Sequence, residues 1–370
     1  MISCDGKFDA AIANLNERAR KAFFAFRKHD HFGNANLSFK FFDSLVKPIL
    51  LYGCEVITPF LCSHIKDTNF TSICESVKLE DLHKLLFRSI LGISKKRKPI
   101  GVGIRGELGR FPLLIDALAH TQKFMDRIKQ LDESHLVKLA FNESRNLRST
   151  ISWENLVKSI PNKLAIIPSN LNKSTLRDKY IECWKKSIEQ SEKLEHIKAV
   201  KHEFILEPYV LCVPFSSRVS FTKLRTSTHD LEIELGRYKK VKLPGNDKST
   251  KMPKELRLCN LCVDNSVESE YHFVMSCPYY AKLRTMFFSH ISKLHAEFTS
   301  LSDQDKFLFI LNCGHKNAKD EPLSKLICLF VNDLFESRKE FFSASEPTPT
   351  PVAVTTRSGR LSAPPRRYPS

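Results

Sequence analysis

The chain has 370 residues, of which 58 are Lys or Arg and 41 are Asp or Glu, so its formal net charge is +17. Hydrophobic residues make up 42% and include 27 Phe, enough for a core, whereas 12 Gly are few for a turn-rich β-sandwich. This composition excludes collagen, a disulfide-rich miniprotein and a membrane channel. It favours a mainly α, basic protein of two or three domains.

The positive charge bears on binding partners rather than on fold. Nucleic acid is the first candidate partner, because neutralising phosphates releases counterions. An anionic membrane surface is the second candidate. A third interpretation, that the protein is basic but binds neither partner, is also possible on charge alone. The 11 cysteines and the absence of a signal-peptide pattern predict an intracellular protein, in nucleus or cytoplasm, that is not secreted. The most apolar stretch, residues 45–61, contains two prolines and two charges, so no membrane span is predicted.

Helical spacing of apolar residues dominates the first part of the chain. Pro48 is expected to kink or end the second of these helices, and Gly92 is expected to cap the third. Shorter amphipathic helices are predicted around Trp153 and around Tyr180. The first four predicted helices cover residues 10–28, 38–52, 79–91 and 112–131.

The second half is predicted to contain a basic helix at 218–242, a loop at 243–257 and three further helices at 281–298, 303–312 and 322–342. The last 28 residues hold six Pro, four Arg and one acidic residue, a composition that cannot build a core. We therefore predict five segments: a helical domain at 1–131, a helical linker at 132–217, a basic helix with a zinc module at 218–300, C-terminal helices at 301–342 and a disordered basic tail at 343–370.

The strongest local motif is C-x2-C-x9-H-x4-C, formed by Cys259, Cys262, His272 and Cys277. Zn²⁺ prefers four tetrahedral thiolate and imidazole ligands, and a closed shell of this kind leaves no open position for catalysis. The pattern therefore predicts one structural zinc ion, the alternative being a chance spacing of ordinary residues. No Lys or Arg lies between the first and last ligand. This segment, residues 259–277, which we call the knuckle, is therefore not expected to contact phosphate.

Two basic clusters are candidates for phosphate contact. A solvated loop stays the alternative for the first cluster, and a charged helix face with a buried tyrosine stays the alternative for the second. Three glycines in the first cluster match G-x-G-x-x-G, but a basic run rather than an apolar strand precedes them, which argues against a dinucleotide site. The candidate residues are Lys95, Lys96, Arg97, Lys98, Arg105 and Arg110 in the first cluster, and Arg225, His229, Arg237, Tyr238, Lys239 and Lys240 in the second.

Catalytic motifs are not found in the sequence. There is no Gly-x-Ser-x-Gly, no P-loop, no His-Glu-x-x-His and no adjacent Asp pair of the kind that many two-metal polymerases use. We therefore predict no catalytic residue.

Several segments together resemble the C-terminal part of non-LTR (LINE-type) retrotransposon reverse transcriptases. Residues 41–56, 82–92 and 105–112 resemble the thumb of these enzymes, and residues 224–238 and 258–280 resemble the segment before and around their CCHC zinc knuckle. The matches follow the order of the family and cover about residues 1–290.

The resemblance implies a thumb, linker and zinc knuckle of an RNA-directed DNA polymerase. The palm, with its Mg²⁺-binding aspartates, and an endonuclease domain would then lie before Met1, and no polymerase residue carries over. It further implies that the chain binds element RNA and target DNA. The alternative is a domesticated, zinc-dependent protein-interaction module, and an independent enzyme is a third class.

Overall fold

The computed structural model describes residues 8–27, 33–63, 69–94, 100–146, 152–164, 172–242, 249–313 and 321–345. These residues are mainly helical, which confirms the predicted mainly α class. Their strand content is limited to one two-stranded antiparallel pair and one isolated bridge.

Helices are found at all six positions predicted in the first part, although the one predicted at 38–52 contains a π-helical turn. The helices at 54–63, 70–76, 101–108, 136–146 and 195–200 are additional to the prediction. The helices are α1 (Asp9–Arg27), α2 (Ala35–Phe41), α3 (Lys47–Leu50), α4 (Cys54–Ser63), α5 (Phe70–Ser76), α6 (Asp81–Leu91), α7 (Gly101–Leu108), α8 (Leu113–Gln130), α9 (Leu136–Asn146), α10 (Trp153–Leu164), α11 (Lys173–Glu189) and α12 (Glu195–Val200).

Local chemistry explains two of these boundaries. Helix α2 continues through a π-helical turn at Phe42–Val46 into α3, and Pro48 lies just after this irregular turn, where proline disrupts the regular hydrogen-bond ladder. Helix α6 ends at Gly92, whose φ of 64° is readily adopted by glycine, and the N–H of Ile93 donates to the carbonyl oxygen of Arg88.

The second part contains α13 (Tyr209–Cys212), α14 (Phe215–Arg225), α15 (Glu232–Leu235), α16 (Ala281–Leu294), α17 (Asp303–Leu311) and α18 (Glu321–Ser345), with strands β1 (Lys240–Val241) and β2 (Thr250–Lys251). The single helix predicted at 218–242 is wrong. Helix α14 stops at Arg225, and Ser227 has a φ of 48°, which a continuing helix cannot accommodate. The predicted loop at 243–257 contains β2 and a 3-10 turn, Lys254–Leu256.

The buried side chains form one connected cluster that runs from Ala19 to Leu334. Helix α4 packs on α8, and α14 packs on α18. The predicted segments up to 342 therefore share a core, while the domain boundaries stay predictions.

The three glycines of the G-x-G-x-x-G match lie on helix α7 rather than in a strand-to-helix turn. A Cβ at Gly106 would come within 2.9 Å of Trp184, and a Cβ at Gly103 within 2.9 Å of Leu194. These two glycines therefore let α11 and the following turn approach the backbone of α7.

Helix α18 continues to Ser345, three residues into the predicted tail, and the rest of that tail lies outside the described residues. In the described part of the chain, no single helix has the length and apolar character needed to cross a membrane. One bent pair, Ala35–Leu50 with Cys54–Ser63 at 76°, could do so on length and composition alone.

Candidate metal centre and basic surface

The four predicted ligands come together in one cluster. Each of Cys259, Cys262, His272 and Cys277 offers one donor atom, and these atoms all lie within 4.8 Å of one another. The Sγ atoms of Cys259 and Cys277 are 4.0 Å apart, and Cys262 Sγ is 3.4 Å from His272 Nε2. A tetrahedral Zn²⁺ with Zn–S bonds of about 2.3 Å places its sulfur ligands about 3.8 Å apart. The cluster can therefore hold a metal ion, and its dimensions fit zinc.

Local backbone structure positions three of the four ligands. Cys259 lies beside the antiparallel bridge between Leu258 and Val267, and its N–H donates to the carbonyl oxygen of Ser266. His272 and Cys277 are separated by one π-helical turn, closed by a 2.7 Å hydrogen bond from the Cys277 N–H to the His272 carbonyl. This turn explains the x4 spacing, because it puts both side chains on the same side.

The three thiols of the cluster differ in ionisation. A hydrogen bond from the Cys277 thiol lowers the pKa of Cys259, and the same bond, with burial, raises the pKa of Cys277, while burial raises the pKa of Cys262. Cys259 is therefore the sulfur most readily held as thiolate, the form that ligates metal. Ser276 Oγ lies 3.3 Å from His272 Nδ1, where it can accept that N–H and leave Nε2 free to bind.

The acidic residues of the knuckle hold it against the rest of the core. Glu268 accepts two hydrogen bonds from Arg338 on α18. Glu270 accepts from His229 at 2.9 Å and lies 3.1 Å from His196 on α12. Against the opposing effect of burial, the two histidines hold the pKa of Glu270 well below its usual range. The knuckle is therefore an integral part of the core.

Three residues predicted to contact nucleic acid are buried, and this corrects the prediction for them. Arg105 is 1% exposed and pairs with Glu75 and Glu80. Arg225 is fully buried, and its guanidinium donates to the carboxylate of Glu107. His229 bonds Glu270, as described above. Each of these groups satisfies an internal carboxylate and offers no surface to a phosphate.

Of the remaining predicted residues, four lie outside the described residues, two are half-buried and three are exposed. Lys95, Lys96, Arg97 and Lys98 lie outside the described residues. Arg110 is half-buried, pairs with Asp43 and lies over the ring of Phe39. Arg237 is also half-buried and donates to Glu234, whereas Tyr238, Lys239 and Lys240 are exposed, with Lys239 bonded to Glu232.

The structure adds cations that the sequence prediction missed. Strands β1 and β2 pair Lys240 directly with Lys251, and Lys242 and Lys254 are exposed nearby. We call residues 237–242 and 249–257 the basic hairpin. Like charges directly opposite each other destabilise a strand pair, so this arrangement is better suited to binding an anion than to stabilising the fold. In the sequence, Pro244, Gly245, Asn246 and Asp247 are residue types that favour turns, and this signal could have predicted the pairing.

The basic hairpin is attached directly to the metal cluster. The N–H of Glu268 donates to the carbonyl oxygen of Arg257, and the N–H of Ile233 donates to the carbonyl oxygen of Glu268. Arg257 is followed in the chain by Leu258, which forms the bridge to Val267, and then by Cys259, the first metal ligand. A metal that orders the knuckle therefore also fixes the base of the hairpin.

In comparisons with known proteins, no protein-family model, no curated protein and no solved structure matches this chain.

Proposed function

We propose that this chain binds nucleic acid through the basic hairpin, and that the adjacent cluster holds one structural Zn²⁺ that fixes the hairpin in place. The observation that carries the proposal is the direct pairing of Lys240 with Lys251 on a hairpin hydrogen-bonded to the four-ligand cluster. Exposed Tyr238 adds an aromatic ring among the cations, as in proteins that stack unpaired bases.

The resemblance supports a more specific form of the proposal. The chain would act as the thumb, linker and zinc knuckle of a LINE-type RNA-directed DNA polymerase, holding template RNA and target DNA without catalysing synthesis itself. The four cluster residues correspond to the zinc ligands of that family, and the basic hairpin directly precedes them in the chain.

The salt dependence of binding tests the proposal. Binding of single-stranded RNA and DNA of unrelated sequence would be measured by fluorescence anisotropy at several salt concentrations. Replacing Lys240 and Lys251 by Gln should weaken all strands about equally, because phosphate contacts carry no base information. The log–log slope should become shallower by up to about 1.4, since each single-strand phosphate that the protein neutralises contributes about 0.7 to the slope.

A matched control separates local contact from net charge. Lys21→Gln with Lys123→Gln removes the same charge from exposed positions of α1 and α8. The proposal predicts little change in affinity or slope for this control. An equal weakening in both double variants, or a wild-type slope near zero, would contradict it.

The second candidate is a zinc-dependent protein-interaction module. It is favoured by Val263, which is 93% exposed at the tip of the knuckle between the second and third ligands. Zinc-dependent capture of a folded protein partner that is abolished by Val263→Asp, together with a salt slope near zero for RNA and DNA, would favour this candidate.

A further inference from the structure

A cavity of about 790 Å³ lies beside the knuckle and belongs to neither the metal cluster nor the hairpin strands. Its walls come from the end of α11, from α12, from α17, from residues 269–271 of the knuckle and from the base of the basic hairpin. None of the four metal ligands lines it. Its volume is within the range of about 300–1,000 Å³ that is typical of small-molecule sites.

One wall of the cavity is cationic. It is formed by Arg237, Lys254 and Arg257. Arg257 donates to the carbonyl oxygens of Ile233 and Met252, and neither of these contacts neutralises its charge. Burial and then the charge of Arg237 lower the pKa of Arg257, and Glu234 and Glu255 oppose this shift. Arg237 is already paired with Glu234, so Lys254 and Arg257 supply most of the charge that this wall offers to an anion.

The floor of the cavity is aromatic. The rings of Tyr271 and His196 each pack edge-on against Phe307, with centroid distances of 5.3 and 5.5 Å. All three residues line the cavity. This packing holds the Tyr271 ring in a fixed orientation, and a base can stack on such a ring irrespective of its sequence identity.

A second wall, formed by residues 189–199, carries carboxylates, and we call it the acidic wall. Glu192 and Glu195 lie on it and are exposed. Its two lysines, Lys193 and Lys198, are paired with Glu234 and Glu189. Two further carboxylates of the cavity are already bonded, Glu189 to Lys198 and Glu270 to its two histidines. Carboxylates accept hydrogen bonds from exocyclic amino groups of bases, so this wall suits adenine or cytosine better than uracil.

We infer that this cavity binds one unpaired nucleotide of a bound strand. The phosphate lies against Arg237, Lys254 and Arg257, the base stacks over Tyr271, and its amino group points to the acidic wall. The inference rests on the proposed function, because the strand reaches the cavity from the adjoining basic hairpin. A free nucleoside monophosphate shares the same chemistry, and the experiments below separate the two sources.

The test uses the full zinc-loaded chain and a 12-nucleotide single strand with one 2-aminopurine near its centre, whose fluorescence is quenched by stacking. Binding of the wild-type chain should change this fluorescence. Ala199→Trp fills the cavity from α12 without altering charge and should abolish the change. Ala140→Trp, at an exposed position of α9, is the matched control and should leave the change intact.

Free nucleotides then identify what the cavity recognises. AMP and CMP should displace the 2-aminopurine signal, UMP less well, and inorganic phosphate poorly. Lys254→Gln, on an exposed turn, should weaken AMP binding about tenfold, as expected for the removal of one charge-assisted hydrogen bond. Equal competition by inorganic phosphate would overturn the inference, because it would leave only an anion site.

The outcomes distinguish this inference from the proposed function. If strands bind with a steep salt slope but Ala199→Trp and Ala140→Trp give the same fluorescence change, the cavity is not used, and the inference fails while the proposed function stands. If AMP binds the cavity but no strand binds, the proposed function fails and the source is a free nucleotide, which overturns the inference as stated. Circular dichroism of each variant excludes loss of folding as the cause.

Discussion

Glu268 of the knuckle and Arg338 of helix α18 form a two-point ion pair, with Nε–Oε1 and Nη2–Oε2 distances of 2.9 Å each. Their side chains are 1% and 10% exposed. Glu268 lies between the second and third metal ligands, so this pair connects the metal cluster to the last helix of the core.

Breaking the pair should destabilise the whole chain. Arg338→Ala leaves the Glu268 carboxylate buried without its partner, and we expect unfolding free energy to fall by about 3–5 kcal/mol. The neighbouring Lys339→Ala removes an exposed cation paired with Glu336 and should cost at most about 1 kcal/mol. Urea unfolding of both variants measures the difference. A decrease below about 1 kcal/mol for Arg338→Ala would show that the pair does not hold the knuckle in place.

Alanine substitutions at two glycines distinguish the cost of backbone strain from the cost of a steric clash. Gly53 and Gly109 have φ values of +66° and +56°, so alanine is strained at either position by about 1–2 kcal/mol. At Gly53 the nearest atom to a new Cβ is Ile57 Cδ1 at 3.9 Å, whereas at Gly109 it is the backbone N of Leu206 at 2.4 Å. Because backbone cannot move aside easily, Gly109→Ala should lose clearly more stability than Gly53→Ala. Equal thermal shifts would contradict the close approach of Gly109 to residues 205–206.

Stability should fall as the pH drops from about 6.5 to about 4. Burial lowers the pKa of His83 from its ordinary 6.5 to about 4, despite the opposing effect of Glu80. Between these values the unfolded chain binds a proton that the folded chain does not, so stability rises with pH across this window. The decrease at the acid end amounts to about 3 kcal/mol for this histidine.

Histidine variants test the assignment of this pH dependence. His83→Gln should flatten the profile of unfolding free energy between pH 4 and 6.5, and His202→Gln, at an exposed position, should leave it unchanged. The measurement is urea unfolding at half-unit steps of pH. A profile of the same slope in His83→Gln would assign the pH dependence to other groups.

The chain alone should not extend a primer. Its sequence has no adjacent Asp pair, and within the described ranges the one group of potential metal ligands is the Cys3His cluster. Primer extension on an RNA template with Mg²⁺ checks this expectation. Extension that co-purifies with the chain through a second, independent purification would contradict it.

Much of the helical fold could be predicted from apolar spacing. The stripes in α1, α6 and α8 are buried as expected, with Phe23, Leu86 and Leu118 nearly inaccessible. The clustering of the four candidate ligands could also be predicted, since C-x2-C and H-x4-C each span a short local segment. These features depend on residues close together in the sequence, and for that reason composition and spacing describe them well.

The buried cations could not be predicted in this way. Arg105 and Arg225 lie in basic stretches, but their partners Glu80 and Glu107 are 25 and 118 residues away. Local charge density cannot distinguish a surface arginine from one that neutralises a distant buried carboxylate. The end of α14 could not be predicted from local spacing either. There Thr226, Ser227 and Thr228 are buried and the chain leaves the helix.

Metal analysis of the reduced chain tests the central claim most directly, because we propose that a zinc ion in the cluster fixes the hairpin in place. Protein refolded with Zn²⁺ and washed with a weak chelator should retain one zinc per chain. Cys277→Ser should lose it, while Cys328→Ser, which removes a buried cysteine outside the cluster, should retain it. Absence of stoichiometric zinc from the wild-type chain, or its retention in Cys277→Ser, would contradict the account.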